Sequence, residues 1–145
     1  MKLVIGGAFQ GKKLYASERY QIPEGEWIDG STCEKEMLFS AKAINHFHEY
    51  IRNRQKTGEN LMKLAEELLE KNPEIILVTN EVGYGIVPME KENREWREAC
   101  GRVCTVLASG ADTPTGFPPF PVLFLHRNNS ISNLIRYQND LRIFF

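Results

Sequence analysis

Leu3-Val4-Ile5 is a short apolar run that feeds directly into Gly6-Gly7-Ala8-Phe9-Gln10-Gly11-Lys12-Lys13. A buried strand over 2–5, a glycine turn over 6–11 and a helix from Lys12 to about Arg19 form the opening unit of an α/β domain. The loop matches G-x-x-x-x-G-K, whose backbone N–H groups, at the positive end of the next helix, cradle phosphate oxygens. In that pattern Ser or Thr follows the lysine and binds Mg²⁺; here Lys13 stands in its place. Gly6, Gly7, Ala8, Phe9, Gln10, Gly11, Lys12 and Lys13 are therefore the expected nucleotide-binding positions, with Lys12 neutralising charge during transfer. Lys13 has no acceptor oxygen. A metal would draw on water or another carboxylate, and Asp29 is the candidate, although Asp29-Gly30 also reads as a plain turn.

The rest of the chain alternates between strand and helix signals. Trp27-Ile28-Asp29-Gly30 reads as a brief strand ending in a carboxylate. From Glu34 to Asn53 the spacing of Met37, Ala41, Ile44, His48 and Ile51 predicts one continuous helix. His48 falls on its apolar stripe, as a core histidine would, while His46 points away and is the better reactive candidate. Leu61, Leu64, Ala65, Leu68 and Leu69 form a second stripe, stopped at Lys71-Asn72-Pro73. Glu74-Ile75-Ile76-Leu77-Val78-Thr79 is apolar almost throughout, as a parallel strand covered on both faces would be. A turn-rich segment over 80–88 precedes a helix from Lys91 to Ala111, buried along Trp96, Cys100, Val103 and Leu107. The fold class is therefore α/β, P-loop NTPase-like, with a mainly parallel sheet, flanking helices and an unsettled C-terminal strand. Ligands of such sheets bind at the carboxyl ends of the strands, where the glycine loop, Asp29 and Asn80-Glu81 all fall.

Composition narrows the function classes. The 145 residues, 42% hydrophobic and 26% charged, suit a globular domain of ordinary make-up. A net charge of −1 gives no reason to expect a nucleic acid or an anionic membrane as partner. Cys33, Cys100 and Cys104 lack zinc spacing, and Cys100 and Cys104, one helical turn apart, read as small core residues of a reduced, cytoplasmic protein. No apolar stretch reaches the roughly 20 residues needed to span a bilayer.

Asn80-Glu81-Val82-Gly83-Tyr84-Gly85-Ile86-Val87-Pro88, with Arg94, Arg97, Gly101 and Arg102 behind it, reads N-E-V-G-x-G-I-V-P followed by R-x-x-R and G-R. With the glycine loop, it resembles the adenosylcobinamide kinase / adenosylcobinamide-phosphate guanylyltransferase family of cobalamin synthesis, as a shortened, divergent member. The resemblance brackets residues 1–112. It implies a transferase that uses ATP or GTP with Mg²⁺ to phosphorylate adenosylcobinamide, then guanylylates the product through a histidine-bound intermediate. It further implies Lys12, Asp29, Glu81 and His46 as catalytic residues, Asn80, Glu81, Gly83 and Gly85 as substrate-binding, and a homotrimer. Arg94 and Arg97 fit a solvated helix face. Family members carry both a histidine segment and an Asp strand; this chain has room for one. Matching Trp27-Ile28-Asp29 to the Asp strand is favoured over matching Glu36-Met37 through His46 to the histidine helix. A degenerate, non-catalytic nucleotide-binding paralogue is the competing reading.

After Thr113 the pattern breaks. Four prolines fall within Pro114-Thr115-Gly116-Phe117-Pro118-Pro119-Phe120-Pro121, followed by an apolar run over 122–125 and a basic, asparagine-rich tail. The domain is expected over 1–113 and an atypical segment over 114–145. That segment reads either as a proline-rich loop leading to a last strand and short helix, or as the product of a reading-frame shift.

Overall fold

The structure, a computed structural model, describes residues 1–83, 88–109 and the backbone of 122–125. Its sheet has five strands, β1 (Lys2–Gly6), β2 (Trp27–Asp29), β3 (Ala43–Asn45), β4 (Ile76–Asn80) and β5 (Val122–Leu125), in the order β2-β3-β4-β1-β5. Every pairing is parallel. The two most apolar runs, β1 and β4, lie side by side from Lys2↔Ile76 to Gly6↔Asn80. The chain leaves β1 for the far edge, returns inward through β3 to β4, then crosses to the other side of β1. That reversal puts a crevice at the carboxyl end of β1.

Alternate residues face opposite helical layers. Val4, Ala43, Ile76 and Val78 pack with Ala16 of α1 (Lys12–Tyr20) and with Ile22. Leu3, Ile5, Ile44 and Leu77 pack on the other face, under α3 (Phe47–Lys56), α4 (Leu61–Lys71) and α5 (Lys91–Ser109). Phe47, Tyr50, Ile51, Leu64, Leu68, Cys100, Val103 and Leu107 supply the helical side of this larger core. The stripes expected for α4 and α5 are thus the ones buried. The cysteines are free thiols, Cys33 and Cys100 buried and Cys104 partly so.

The single helix expected over 34–53 does not form. The segment divides into α2 (Lys35–Ser40), β3 and α3. Ala43 and Ile44 pair with Trp27 and Ile28 on one side and with Ile76 and Leu77 on the other. The helical spacing was a coincidence: Ala43 and Ile44 face opposite cores, a strand's period of two, and Met37 is largely exposed. Asn72 holds the break open by donating to Leu38 O at 3.1 Å and Ala41 O at 2.8 Å, ending α2 before β3 begins. The strand carrying Asn80 is consequently the fourth, not the third.

The run Val122–Leu125 does form a strand, in register with Leu3–Gly6. The proline cluster over 114–121, the boundary at 113/114, the tail over 126–145 and the expected last turn of the α5 helix at 110–111 lie outside the described residues. No helix among the described residues is long and apolar enough to cross a membrane.

Asn60 caps α4 by accepting from Met62 N and Lys63 N, both at 3.1 Å. Asn60→Ala is expected to cost about 1 kcal/mol of stability. Urea unfolding checks this: the midpoint should fall while the slope stays unchanged.

Candidate functional site

The glycine loop leaves the end of β1 and is closed upon itself. The Gly7 N–H donates to Gln10 Oε1 at 2.8 Å. A Cβ on Gly7 would lie 3.0 Å from the Gln10 carboxamide nitrogen, so the side chain packs closely over the glycine backbone. Lys12, buried in the first turn of α1, donates from Nζ to Gly7 O at 2.6 Å. Desolvation pushes its pKa down. Gly11 (φ 68°) takes the left-handed conformation that opens the helix. Phe9 (φ 59°) does so without glycine's freedom, with a fully exposed ring beside exposed Ala8. Lys13 turns away from the loop, pairs with Glu24 and lies 5.7 Å from the Trp27 ring. It ties α1 to β2.

At the ends of β2 and β3, Asp29 meets His46. Both ring-facing carboxylate oxygens lie 3.3 Å from His46 Nδ1. Asp29 Oδ1 also accepts from Ser31 N at 2.8 Å and Ser31 Oγ at 2.7 Å. Partial burial would raise the Asp29 pKa; the Ser31 bonds and His46 outweigh it and hold the carboxyl below its usual range. An ionised carboxylate facing Nδ1 places the proton there, leaving the lone pair on Nε2, which lies 3.3 Å from Asn45 Nδ2. His46 sits at φ 54° as the strand turns into α3. Gly30 makes this approach possible: its N–H donates to Asn45 O at 2.8 Å, and an added Cβ would fall 2.4 Å from His46 O. The two residues expected from alternative segments therefore stand in contact, on neighbouring strands.

His48 is buried, as its stripe suggested, but in the first turn of α3. Its Nδ1 accepts from Asn80 N at 3.2 Å, and its Nε2 lies 3.1 Å from Asn80 Nδ2. Trp96 Nε1 donates to its carbonyl at 2.9 Å. Burial first, then the His46 and Lys12 charges, lower its pKa to about 4 against a smaller opposing pull from Asp29. Glu81, exposed, donates its backbone N–H to Gly6 O at 2.9 Å, bringing the mouth of β4 against the start of the glycine loop. Arg94 donates to Pro88 O at 2.9 Å and Met89 O at 2.5 Å, and Arg97 to Gly83 O. These arginines brace the segment after β4 as well as flanking α5. Gly85, with Tyr84, Ile86 and Val87, lies outside the described residues.

The carboxyl ends of β1 to β4 thus gather Gly7, Gln10, Lys12, Asp29, His46, His48, Asn80 and Glu81. Sequence reasoning missed Gln10 as a cover, Gly30 as a spacer and His48 as a partner of Asn80. A glycine directly after a strand-ending Asp was a usable signal for the second; the others depend on side-chain direction. A groove of about 400 Å³ lined by Glu26, Ile28, Met37 and Lys42 opens at the opposite, amino-terminal end of β2 and β3 and shares none of these groups. Among the described residues no three His, Cys, Asp or Glu side chains cluster to hold a metal.

Sheet, helices and glycine loop define an α/β protein of P-loop NTPase-like build. Residues 28–115, about three fifths of the chain, match the model of the cobinamide kinase / cobinamide phosphate guanyltransferase family, and the chain belongs to it. The match begins after the glycine loop and includes Asp29, His46, His48 and the segment over 80–88. The chain is also 53% identical over 38 residues, 26% of its length, to the bifunctional adenosylcobalamin biosynthesis protein CobU of Salmonella typhimurium. That stretch spans about a fifth of the relative's length.

Two outcomes follow from this geometry. His48 is uncharged in the fold to about pH 4, but takes a proton near pH 6.5 once unfolded. Between those values the unfolded chain binds more protons, so stability falls as pH drops from about 6.5 to about 4. Urea titrations at the two ends of that window should show this loss, reduced in His48→Gln. Gly30→Ala forces its methyl onto the His46 carbonyl; it should cost about 1–3 kcal/mol and shift the His46 ring resonances in NMR spectra.

Proposed function

We propose that the chain is a nucleotide-dependent transferase of cobalamin synthesis, which phosphorylates adenosylcobinamide and guanylylates the product. The convergence of the glycine loop, the Asp29–His46 pair and Asn80 at one end of the sheet carries this reading. A triphosphate entering the loop would displace the Gln10 carbonyl from the Gly7 amide and draw Lys12 Nζ from Gly7 O. A phosphate oxygen is the stronger partner for both, because its bonds are charge-assisted. Mg²⁺ is commonly held by one or two carboxylates together with phosphate oxygens. Asp29, half-exposed, has oxygens to offer, whereas Lys13 has none. When bound, the ion would supply charge neutralisation on the phosphates.

His46 suits the second half-reaction. Its Nε2 lone pair would attack the α-phosphorus of GTP, forming a P–N bond as the P–O bond to pyrophosphate breaks. Asp29 would stabilise the positive charge growing on the ring. A phosphate oxygen of adenosylcobinamide phosphate would then displace the imidazole and take the guanylyl group. The cytoplasm as its location and a homotrimeric assembly are part of the same proposal.

A second reading, a nucleotide-binding paralogue without catalysis, is favoured by Lys13, which binds Glu24 where a metal-binding hydroxyl is expected. Equilibrium binding of ATP and GTP, with and without Mg²⁺, tests both. Lys12→Ala should weaken binding at least about tenfold. With α-labelled GTP, label should attach to the wild type and not to His46→Ala, while γ-phosphate transfer persists in both. Nucleotide binding without any transfer, unrepaired by Lys13→Ser, would establish the paralogue. Absence of nucleotide binding by the wild type would end both readings.

A further inference from the structure

We propose that His48 fixes Asn80 as a hydrogen-bond donor to a phosphoryl oxygen of the bound ligand. The assignment rests on the phosphate-loop reading above and adds a specificity-determining residue and its orienting partner. Asn80 N carries a proton and lies 3.2 Å from His48 Nδ1, so Nδ1 must present its lone pair. A neutral imidazole with a bare Nδ1 carries its proton on Nε2. That proton faces the Asn80 side-chain amide, at the position assigned to Nδ2, 3.1 Å away. Only the carbonyl oxygen of that amide can accept it. The two ends of an amide are distinguished by their hydrogen bonds, so Oδ1 turns to His48 and the NH₂ group turns outward. Glu49 Oε1, the other acceptor given near Nε2 among the described residues, is 3.8 Å away and beyond hydrogen-bond reach.

The outward NH₂ then has no partner among the described residues. It sits where β4 pairs with Gly6, at the start of the glycine loop, and beside the mouth formed by the Glu81-to-Gly6 bond. His48 itself is held by burial and by Trp96, so the amide cannot turn over without breaking the ring contact. Two N–H donors aimed from a fixed strand end select an acceptor, and the neighbouring glycine loop with Lys12 selects an anionic one. A phosphoryl oxygen satisfies both.

The tautomer is read directly by ¹⁵N-resolved NMR of the His48 ring in the full chain, with the proton expected on Nε2. Binding of inorganic pyrophosphate, ATP and GTP is then measured at mildly alkaline pH for wild type, Asn80→Ala and Asn80→Asp. Asp can still accept from Nε2–H but turns an oxygen toward the ligand. Affinity should therefore fall in the order wild type, Ala, Asp, with Asp at least about tenfold below wild type and an unchanged thermal midpoint. A merely structural role predicts the reverse order, with Asp near wild type and Ala worst. That order, or a proton found on Nδ1, overturns this inference while leaving nucleotide binding intact. A wild type that binds none of the three ligands overturns the phosphate reading and this ligand assignment together.

Discussion

The lane between β2 and β4 must be filled for the sheet to be continuous, and Ala43-Ile44-Asn45 fills it. A three-residue strand has little strength of its own; pairing on both sides gives it a definite place. Its backbone groups bond in both directions, and its alternating side chains enter both cores, which satisfies the buried polar groups without a helix. Everything at the carboxyl edge follows from that placement. The register Asp29↔Asn45 sets His46 one residue beyond the strand end, over the Asp29 carboxylate. The left-handed turn at His46 then starts α3 at once, and its first turn carries His48 beneath the end of β4.

Much of the frame was legible in the sequence, and the reasons are local. Leu3-Val4-Ile5 and Ile75-Ile76-Leu77-Val78 are continuous apolar runs bounded by turns, and only a strand buried on both faces suits them. The α4 and α5 stripes hold their period over several turns. β3 was hidden because Ile44, His48 and Ile51 repeat at helical spacing by accident, and three residues cannot outvote such a stripe. The site was legible as a set of residues but not as an arrangement. The strand-end position of Asp29 was visible; its contact with His46 depends on parallel register between β2 and β3. No pattern announces that Gln10 folds back over Gly7, because this follows from side-chain reach within one loop.

Closure of the glycine loop satisfies two groups that would otherwise be costly: a backbone N–H without an acceptor and a buried lysine without a counter-charge. Gln10 gives Gly7 a neutral oxygen, and Gly7 O gives Lys12 a partial negative charge. Both groups are thereby satisfied within the loop itself. Lys13 takes no part in this closure. Its bond to Glu24 makes it a tether between α1 and the turn before β2.

The two histidines show how little sequence distance is needed to separate two environments. His46 and His48 have ring centres 6.0 Å apart, nearly perpendicular, one at the cap of α3 and one in its first turn. An ionised carboxylate faces Nδ1 of the first, and a backbone N–H faces Nδ1 of the second. The first contact demands a proton on Nδ1 and the second forbids it, so the imidazoles hold opposite tautomers. The first ring is half-exposed and the second is buried. Burial keeps the second from charging, and the nearby Lys12 charge adds to that effect. The contrast between the two rings is therefore set by which strand end each one meets.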